Sequence, residues 1–361
     1  MLKPLILSSA IILFNTVAFA QQQVSKFAVG FYNQENLFDT IHDVGKNDNQ
    51  FLPEGTYKWN TEKYLAKLHN MSQALADMGT DQVSEGCAFI GLSEVENKNV
   101  LNDLIAQQPL KERNIQYIHE ETPDKRGIDC ALLYNPSIFK VSNYKLVPYI
   151  YENDSDKNHA TRGYLTIRGE LAGEDVAVIV NHLPSRYSPG YYRQLGARQI
   201  KAVKDSLQKI NPDIKLFIMG DMNDDPHDKS MCEDLGAKRE ANTVESFGLF
   251  NPWWNILFSG IGTHYYRGEW NLFDQIIISE NLLDKAHSQI VKKKANKVVT
   301  KTINHDKSKL TYCGSEIFRR SYLIQQEGKY KGTPKRTSAG GKWLNGYSDH
   351  LPVVMYLCKE N

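Results

Sequence analysis

Apolar residues recur at helical spacing in three segments of the chain. Between residues 61 and 78 they follow an i, i+3, i+4, i+7 pattern, which predicts an amphipathic helix. Asn60 precedes this segment as a candidate N-cap, and Gly79 follows its last turn. The same spacing predicts a second long helix over 191–210 and a shorter one over 97–107.

Short apolar runs between the helices predict β-strands. The predicted strands cover residues 26–33, 88–92, 128–134, 164–168, 176–181, 216–219, 273–278 and 352–357. Strands and helices therefore alternate along the chain, which indicates an α/β fold. Two polar segments, 42–58 and 328–342, predict loops, and neither joins two independent sets of elements. We therefore expect one domain over 26–358 with insertions.

The N-terminus has the pattern of a secretory signal peptide. Lys3 precedes an apolar run over residues 5–14, and Ala18-Phe19-Ala20 provides an A-x-A cleavage site. The run is short for a membrane anchor, and no cysteine follows the cleavage site to carry a lipid. We expect removal of residues 1–20, export to the periplasm or the extracellular space, and no stable membrane insertion.

Composition and charge exclude some classes of protein. Hydrophobic residues make up 41% and charged residues 24%, which excludes a wholly disordered chain. Lys and Arg number 43 against 42 Asp and Glu, so the formal charge is +1, and loss of Lys3 would bring it to zero. This balance argues against a protein that coats nucleic acid or anionic membranes through global charge, but it permits a local basic cleft.

The cysteines are widely spaced and form no C-x-x-C pair, which excludes a zinc ribbon or a thioredoxin-type site. In an exported protein they permit up to two disulfides and one free thiol. Cys87, Cys130 and Cys358 lie in apolar, strand-like runs. For these three the sequence favours buried, unpaired side chains.

Polar side chains collect where several predicted strands end or begin. The clusters occupy residues 32–36, 91–97, 180–186, 219–225, 271–274 and 347–351. Carboxylate and amide oxygens without cysteine suit a hard cation such as Mg²⁺ or Mn²⁺, and the histidines among them suit proton transfer. If these clusters converge at one edge of the fold, they indicate metal-assisted hydrolysis of a phosphate ester.

These motifs, in this order, resemble those of the endonuclease/exonuclease/phosphatase superfamily. The matching segments are Tyr-Asn-x-Glu-Asn-Leu-Phe (32–38), Leu-Ser-Glu-Val-Glu-Asn (92–97), Asn-His-x-Pro-Ser-Arg (181–186), Gly-Asp-Met-Asn-Asp (220–224), Phe-Asp-Gln (273–275) and Ser-Asp-His-Leu-Pro-Val (348–353). The resemblance covers essentially the whole chain after the leader. It implies a four-layer α-β-β-α sandwich in which two mixed β-sheets pack face to face.

The resemblance also implies roles for individual residues. Glu94 resembles the principal metal ligand, with Asn33 beside it and Asp349 close to the metal. Asp221 resembles the acid that positions or deprotonates the nucleophile, and Asn223 resembles the amide that contacts the scissile phosphate. The remaining residues implied for catalysis are His350, which binds the phosphate, its orienting acid Asp274, and the second histidine His182. Apurinic endonucleases lack that second histidine, which weakens a DNA-repair assignment.

Four further residues are candidates for substrate binding. Glu35 sits where a second acidic or polar contact is common in the family, and Arg126, Arg162 and Arg186 offer bidentate contacts to phosphate. A position in a surface turn, with no role in substrate binding, explains each of the three arginines about equally well. An aromatic-rich stretch that includes Trp253, Trp254, Tyr265, Tyr266 and Trp270 would suit base stacking, but packing under a loop is favoured. Basic residues between 292 and 301 would follow a phosphate backbone or a solvated strand face.

The sequence therefore predicts an exported, Mg²⁺-dependent phosphoric ester hydrolase, with Mn²⁺ as a substitute and Ca²⁺ as a supporting ion. The leading prediction is an endonuclease-type phosphodiesterase that cuts DNA or RNA by in-line attack of water. The alternative is a phosphatase or phosphodiesterase for small-molecule or lipid phosphates. A catalytically silent binding protein on the same fold is a third possibility. We expect a monomer whose partner is its phosphate-ester substrate.

Overall fold

The computed structural model describes residues 24–152, 161–284, 287–294, 297–303, 306 and 308–360. The predicted signal peptide lies outside the described residues. The strands are β1 (Val24–Leu37), β2 (Cys87–Val95), β3 (Gln116–His119), β4 (Asp129–Tyr134), β5 (Phe139–Val147), β6 (Tyr164–Leu171), β7 (Glu174–His182), β8 (Lys215–Asp221), β9 (Ala237–Lys238), β10 (Leu249–Phe250), β11 (His264–Tyr266), β12 (Glu269–Asn271), β13 (Asp274–Ser279), β14 (His287–Lys294), β15 (Lys297–Ile303), β16 (Thr311–Ile317), β17 (Ser338–Ala339), β18 (Lys342–Trp343) and β19 (Val353–Glu360).

The helices are fewer and lie between the strands. They are α1 (Thr61–Asp77), α2 (Lys98–Ile105), α3 (Gln108–Lys111), α4 (Gly190–Ile210) and α5 (Trp254–Phe258). Single helical turns occur at Asn49–Phe51, Ser230–Asp234, Ala241–Thr243, Glu280–Leu282 and Ser321–Leu323. Among the described residues, no helix has both the length and the apolar character needed to cross a bilayer.

Two large mixed sheets form the centre of the fold. The first has the order β16-β19-β1-β2-β4-β3, and the second has the order β5-β6-β7-β8-β13-β10-β9. In the first sheet β1 runs parallel to β2 and antiparallel to β19. In the second sheet β7 runs parallel to β8, and β13 runs antiparallel to β8. In each parallel pair, β1–β2 and β7–β8, the two strands end at the same edge of their sheet. The loops that follow the two strands therefore lie close together.

Three apolar clusters show how the layers pack. The cluster between the sheets joins Phe31, Phe89 and Leu132 of the first sheet to Val178 and Phe217 of the second. A further cluster packs α1 and α2 on the outer face of the first sheet, and a third packs α4 on the outer face of the second. The chain thus forms the four-layer α-β-β-α sandwich that the sequence resemblance implied.

The long helices follow the periodicity of the sequence. Asn60 caps α1, since its side chain accepts a hydrogen bond from the backbone N–H of Lys63 at 3.1 Å, and Gly79 adopts the left-handed conformation with φ +80°. Strands were predicted too short, because the polar residues at their ends still belong to the ladders. Strands β3, β5 and β16 were not predicted, because they carry few apolar residues or lie at sheet edges.

The prediction for Cys358 was wrong. Cys358 forms a disulfide with Cys313, and it joins the edge strand β16 to β19 with a Cα–Cα distance of 5.9 Å. The register of this strand pair shifts between Tyr312 and Gly314, which leaves Cys313 outside the regular pairing and opposite the end of β19. Cys87 and Cys130 are buried and free, as predicted.

We expect Asn60→Ala to lower the free energy of unfolding by about 0.5–2 kcal/mol, because the first turn of α1 loses its side-chain cap. Urea titration followed by circular dichroism would measure this difference. Asn60→Asp is the matched control, since it keeps an acceptor at the same position and should retain most of the stability. Equal stability of Asn60→Ala and the wild type would contradict a capping role.

Candidate active site

The polar clusters of the sequence meet at one edge of the sandwich. In the second sheet, His182 at the end of β7 pairs in register with Asp221 at the end of β8, and Asp274 at the start of β13 pairs with Asp221 from the other side. Parallel pairing in the first sheet brings the ends of β1 and β2 together. The turn before antiparallel β19 returns to the same place and carries His350.

Asp221 lies at the centre of the cluster. Its Oδ2 accepts a hydrogen bond from Asn33 Nδ2 at 2.9 Å, lies 3.5 Å from His182 Nε2 and lies 3.8 Å from His350 Nε2. Its Oδ1 accepts a hydrogen bond from the backbone N–H of Asn223 at 3.0 Å. Burial raises the pKa of Asp221 to about 7, with Asp274 adding to the rise and His350 opposing it. The carboxyl group can therefore exchange a proton near neutral pH.

His350 and Asp274 form a buried pair. The distance from His350 Nδ1 to Asp274 Oδ2 is 2.7 Å, and the Asp274 side chain is fully buried. Burial alone would lower the pKa of His350, but the carboxylates of Asp274 and Asp221 outweigh it and hold the pKa well above its usual value. His350 is therefore positioned as an imidazolium with its free Nε2 directed toward Asp221.

His182 differs from His350 in its charge. It is buried, and its Nδ1 has no hydrogen-bond partner within the described part of the chain. Burial, together with the positive charges of Arg162 and Arg126, lowers its pKa well below the usual value. Its Nε2 lies 3.5 Å from Asp221 Oδ2 and 3.9 Å from Glu94 Oε1. The site thus holds one neutral and one charged imidazole on either side of the Asp221 carboxyl group.

Several site residues occupy left-handed backbone conformations. The positive φ angles are +46° at Glu35, +56° at Asn36, +62° at Glu94 and +50° at Asn223. Each such residue costs about 1–2 kcal/mol relative to ordinary backbone. The β2–β4 register shifts beside Glu94, which turns its carboxylate out of the sheet and toward the cavity. Such a concentration of left-handed residues is typical of functional regions.

The residues that would hold a metal present oxygen ligands. One oxygen of Glu94, Oε2, accepts a hydrogen bond from the backbone N–H of Asn36 at 2.9 Å, and its carboxylate faces the cavity. Asp349 Oδ1 lies 3.9 Å from His350 Nε2, and Asn33 Oδ1 accepts the backbone N–H of Glu35 at 2.8 Å. Burial alone would raise the pKa of Asp349, but the positive charges of His350 and Arg336 outweigh it and lower that pKa, which keeps the carboxylate ionised. Two carboxylates and an amide fit a hard divalent cation.

A cavity of about 480 Å³ opens onto this cluster. Arg126 is half-exposed on its wall, donates to Asn36 Oδ1 and lies 3.8 Å from Glu94 Oε2. Arg162 is buried: it pairs with Asp124 at 2.8 Å and donates to the backbone carbonyl of His182 at 3.1 Å. The lining residues are Glu94, Asp124, Lys125, Arg126, Tyr151, Thr161, Arg162, His182, Pro184, Ser185, Ser188, Tyr192, Asp221, Asn223 and His350.

Two other candidates are engaged away from this cavity. Arg186 donates to Asp225 at 3.0 Å, to Asp228 at 2.8 Å and to the backbone carbonyl of Asn223 at 3.1 Å, so it clamps the loop after β8. Glu35 is buried and accepts the backbone N–H of Thr337 at 2.6 Å. Burial and Asp349 raise the pKa of Glu35 to about 8. Substrate contact by Arg186 and Glu35 stays a prediction.

The aromatic-rich stretch is only partly buried: Trp253 is buried, Tyr266 is exposed, and the other three residues are intermediate. Trp253 is fully buried in the cluster between the sheets, and its indole N–H donates to the carbonyl of Ile276 at 3.0 Å. Tyr265 and Trp270 pack edge to face across the β11–β12 hairpin. The basic residues between 292 and 301 lie in β14 and β15, and their side chains lie outside the described part of the chain.

Sequence reasoning missed several residues at the site. His264 stacks 4.7 Å from His350 between ring centroids, and its Nε2 lies 3.9 Å from Asp349 Oδ2. Lys67 of α1 is fully buried, and its ammonium group donates to Thr337 Oγ1 close to Glu35. A lysine on a helix normally faces solvent, so periodicity gave no signal for Lys67. His264 begins the short β11–β12 hairpin, at a position where no strand end and no polar motif was predicted.

The comparisons with known proteins agree with this geometry. The family model described as "Endonuclease/Exonuclease/phosphatase family" matches residues 28–359. No curated protein sequence matches the chain. Solved structures are similar in fold at low sequence identity.

Three of those structures illustrate the similarity. An endonuclease/exonuclease/phosphatase family protein from Bacteroides thetaiotaomicron has a TM-score of 0.53 at 13% identity, covering 94% of this chain and 97% of the other. A mannosyl-6-phosphatase from the same organism has a TM-score of 0.52 at 12% identity, covering 92% and 99%. Truncated Caenorhabditis elegans TDP2 has a TM-score of 0.51 at 13% identity, covering 92% and 97%. Together with the family match, the acid–histidine edge establishes that this chain belongs to the endonuclease/exonuclease/phosphatase family of metal-dependent phosphate-ester hydrolases.

Proposed function

We propose that the protein is an exported, Mg²⁺-dependent phosphoesterase that hydrolyses compact phosphate esters at the Asp221 cluster. The observation that carries this proposal is the buried His350–Asp274 pair at 2.7 Å beside an Asp221 carboxyl whose pKa is raised to about 7. One group holds positive charge for a phosphate, and the other accepts a proton near neutral pH. Hydrolysis of a phosphate ester needs both functions.

Glu94, Asn33 and Asp349 would hold the cation, which supplies Lewis-acid polarisation of a phosphate oxygen when bound. Asp221 aligns the attacking water through Oδ2 and takes up its proton. Asn223, whose Nδ2 donates to the Leu183 carbonyl at 2.9 Å, is held beside Asp221 to orient the phosphate. His350 neutralises charge that builds on the phosphate or donates its Nε2 proton to the leaving oxygen.

The volume and the charge of the cavity favour a small substrate over a nucleic-acid duplex. Its volume of about 480 Å³ fits a single phosphorylated sugar or nucleotide. Arg162 on its wall is already paired with Asp124, so Arg126 and Lys125 are the exposed cations that line it. Among the described residues, the two exposed cations of the cavity are fewer than the roughly 6–10 phosphate contacts of a protein that binds a duplex with a steep salt dependence. This reverses the order of the two substrate classes that the sequence favoured.

A nuclease remains the second candidate because of the aromatic rim. Tyr151 and Tyr192 line the cavity, and Tyr187 in the loop before α4 is almost fully exposed. Tyrosine rings beside a phosphate-binding cleft suit stacking of single-stranded bases. The two substrate classes differ in the salt dependence they predict.

The deciding assay compares sugar phosphates, nucleoside monophosphates, bis-nitrophenyl phosphate, RNA and plasmid DNA with the purified mature chain in Mg²⁺. We expect turnover of a small ester whose kcat/KM changes little between low and moderate salt. Preferential cleavage of DNA or RNA with a steep fall in affinity as salt rises would establish the nuclease instead. No turnover of any ester with Mg²⁺ or Mn²⁺ would overturn the proposal.

Arg126→Ala should raise KM for the small ester by about tenfold or more, because a charge-assisted contact to phosphate contributes roughly 1.5–3 kcal/mol. Steady-state kinetics would measure the change, with kcat affected less than KM. Arg267→Ala is the matched control, since Arg267 is exposed on the β11–β12 turn and does not line the cavity. An unchanged KM in Arg126→Ala would show that substrate phosphate does not reach Arg126.

Export is supported by the N-terminal pattern and by the Cys313–Cys358 disulfide, since stable disulfides form in oxidising compartments. N-terminal sequencing of the protein recovered from the periplasm or medium should begin at Gln21. Recovery of full-length chain from the cytoplasmic fraction alone would contradict export.

A further inference from the structure

A second group of metal-ligating side chains lies outside the residues that line the catalytic cavity. His119 ends β3, Asp129 begins β4, and Glu121 lies in the connection between them. One ligand atom from each of the three lies within 4.8 Å of the others. The proposed catalytic mechanism uses none of these residues.

Two members of the group are buried and carry polar atoms without hydrogen-bond partners. His119 is 3% exposed and Asp129 is 1% exposed. Neither ring nitrogen of His119, nor Oδ2 of Asp129, has a hydrogen-bond partner within the described part of the chain. Their one close approach is the 3.3 Å contact between His119 Nε2 and Asp129 Oδ2. A buried imidazole and carboxylate left in this state cost free energy that a bound cation would recover.

The spacing of these atoms matches coordination. Two ligands at about 2.1 Å from one tetrahedral ion lie about 3.4 Å apart, which is close to the observed His119–Asp129 separation. Glu121 is exposed and can rotate toward the pair. It also lines a separate surface cavity of about 400 Å³ with Asp43, Lys46 and Asn97, so solvent reaches this member of the group.

We propose that His119, Glu121 and Asp129 form a second metal site that binds Zn²⁺ or a similar transition ion. An imidazole nitrogen with two carboxylate oxygens is a zinc-type ligand set, and water can complete the coordination. Ca²⁺ prefers six to eight oxygen ligands and is disfavoured by the imidazole. This site does not depend on the proposed substrate.

The site would position the wall of the catalytic cavity. Asp129 Oδ1 accepts hydrogen bonds from the backbone N–H and hydroxyl of Thr122. Asp124, two residues after Thr122, connects this segment to the wall of the catalytic cavity. Its Oδ1 accepts a hydrogen bond from the backbone N–H of Arg126 at 2.9 Å, and its Oδ2 pairs with Arg162 at 2.8 Å. A metal that fixes Asp129 therefore fixes the segment that presents Arg126.

The test is Zn²⁺ stoichiometry of the full mature chain, measured by equilibrium dialysis in excess Mg²⁺. We expect His119→Ala to bind one Zn²⁺ fewer than the wild type. Glu121→Gln, at an exposed position that should not disturb folding, should weaken binding by at least about tenfold, since even outer-shell partners contribute about 10–100-fold. His69→Ala and Glu120→Gln are matched controls that remove a surface histidine and a neighbouring carboxylate.

Hydrogen exchange supplies the second readout. Zn²⁺ should slow amide exchange over residues 120–128 in the wild type and in Glu94→Gln, but not in His119→Ala. Equal Zn²⁺ stoichiometry and affinity in the wild type, His119→Ala and Glu121→Gln would overturn the proposal. So would loss of the Zn²⁺ in Glu94→Gln with retention in His119→Ala, because the ion would then belong to the catalytic edge.

Discussion

His350→Ala should lower kcat for phosphate-ester hydrolysis by about 10²–10⁴-fold, the range that a positioned proton donor or charge-stabilising group contributes. The reason is the loss of the imidazolium that Asp274 holds at 2.7 Å beside Asp221. Steady-state kinetics at saturating Mg²⁺ would measure the effect. Near-wild-type turnover in this variant would remove His350 from the mechanism.

The double variant His350→Ala/Asp274→Asn separates catalysis from stability. His350→Ala alone leaves the buried Asp274 carboxylate without its partner, which typically costs about 3–5 kcal/mol. Removing that charge as well should restore much of the unfolding temperature, measured by circular dichroism, without restoring activity. His69→Ala, at an exposed histidine of α1, controls for the loss of a histidine as such.

We expect Asp274→Asn to change the pH profile of the hydrolytic activity. Burial lowers the pKa of His350, while Asp274, Asp221 and Asp349 raise it above its usual value, so the active imidazolium persists to higher pH. The neighbouring His264 is neutral, because burial lowers its pKa to about 3. With Asp274 made neutral, the pKa of His350 falls, and the loss of activity with rising pH should begin at lower pH. An unchanged alkaline limb would contradict this role.

Asp221→Asn should also lower kcat by about 10²–10⁴-fold, because the site loses the group that takes up the proton of the attacking water. Asparagine has the same shape and can keep a contact with Asn33, so KM should change less than kcat. Asp213→Asn, at an exposed position before β8, is the matched control. A variant with normal kcat would show that another group accepts the proton.

Asp221→Asn should also change how the free energy of unfolding depends on pH. Burial raises the folded-state pKa of Asp221 from its usual value to about 7, so the native state binds a proton that the unfolded state has released between about pH 4 and 7. The free energy of unfolding contributed by this group therefore falls as pH rises through that window. Without metal, the stability of Asp221→Asn should lack this part of the pH dependence. An unchanged fall in the free energy of unfolding between about pH 4 and 7 would contradict the raised pKa.

The polar residues at the strand ends could be predicted as a set, because their motifs follow one another along the chain in the order of the family. Parallel pairing of β7 with β8, and antiparallel return of β13, places His182, Asp221 and Asp274 in register. The same rule brings Asn33 beside Ser93, one residue before Glu94. The sequence named these clusters but left their convergence open, and the strand registers of the two sheets bring them together.

Other residues were not predictable from local pattern. Arg126 and Arg186 look alike in sequence, yet one faces the cavity while the other is held by Asp225 and Asp228. Cys358 sits in an apolar run, but the bulge at Cys313 in a distant strand decides that it forms a disulfide. Each of these contacts depends on which distant segment packs against the residue. The spacing of residues along the chain does not show which segment that is.

The amino-acid sequence by itself determined the alternation of helices and strands, which follows from hydrophobic periodicity, and the order of the polar motifs at strand ends, and both are local properties. The layer order and the roles of the acid and histidine residues were implied by the resemblance of those motifs to the endonuclease/exonuclease/phosphatase superfamily. The tertiary structure alone decided the charge states of His350 and His182, the size of the cavity and the pairing of His119 with Asp129. Burial and opposing charges set those properties, and both arise only when segments distant in sequence pack together.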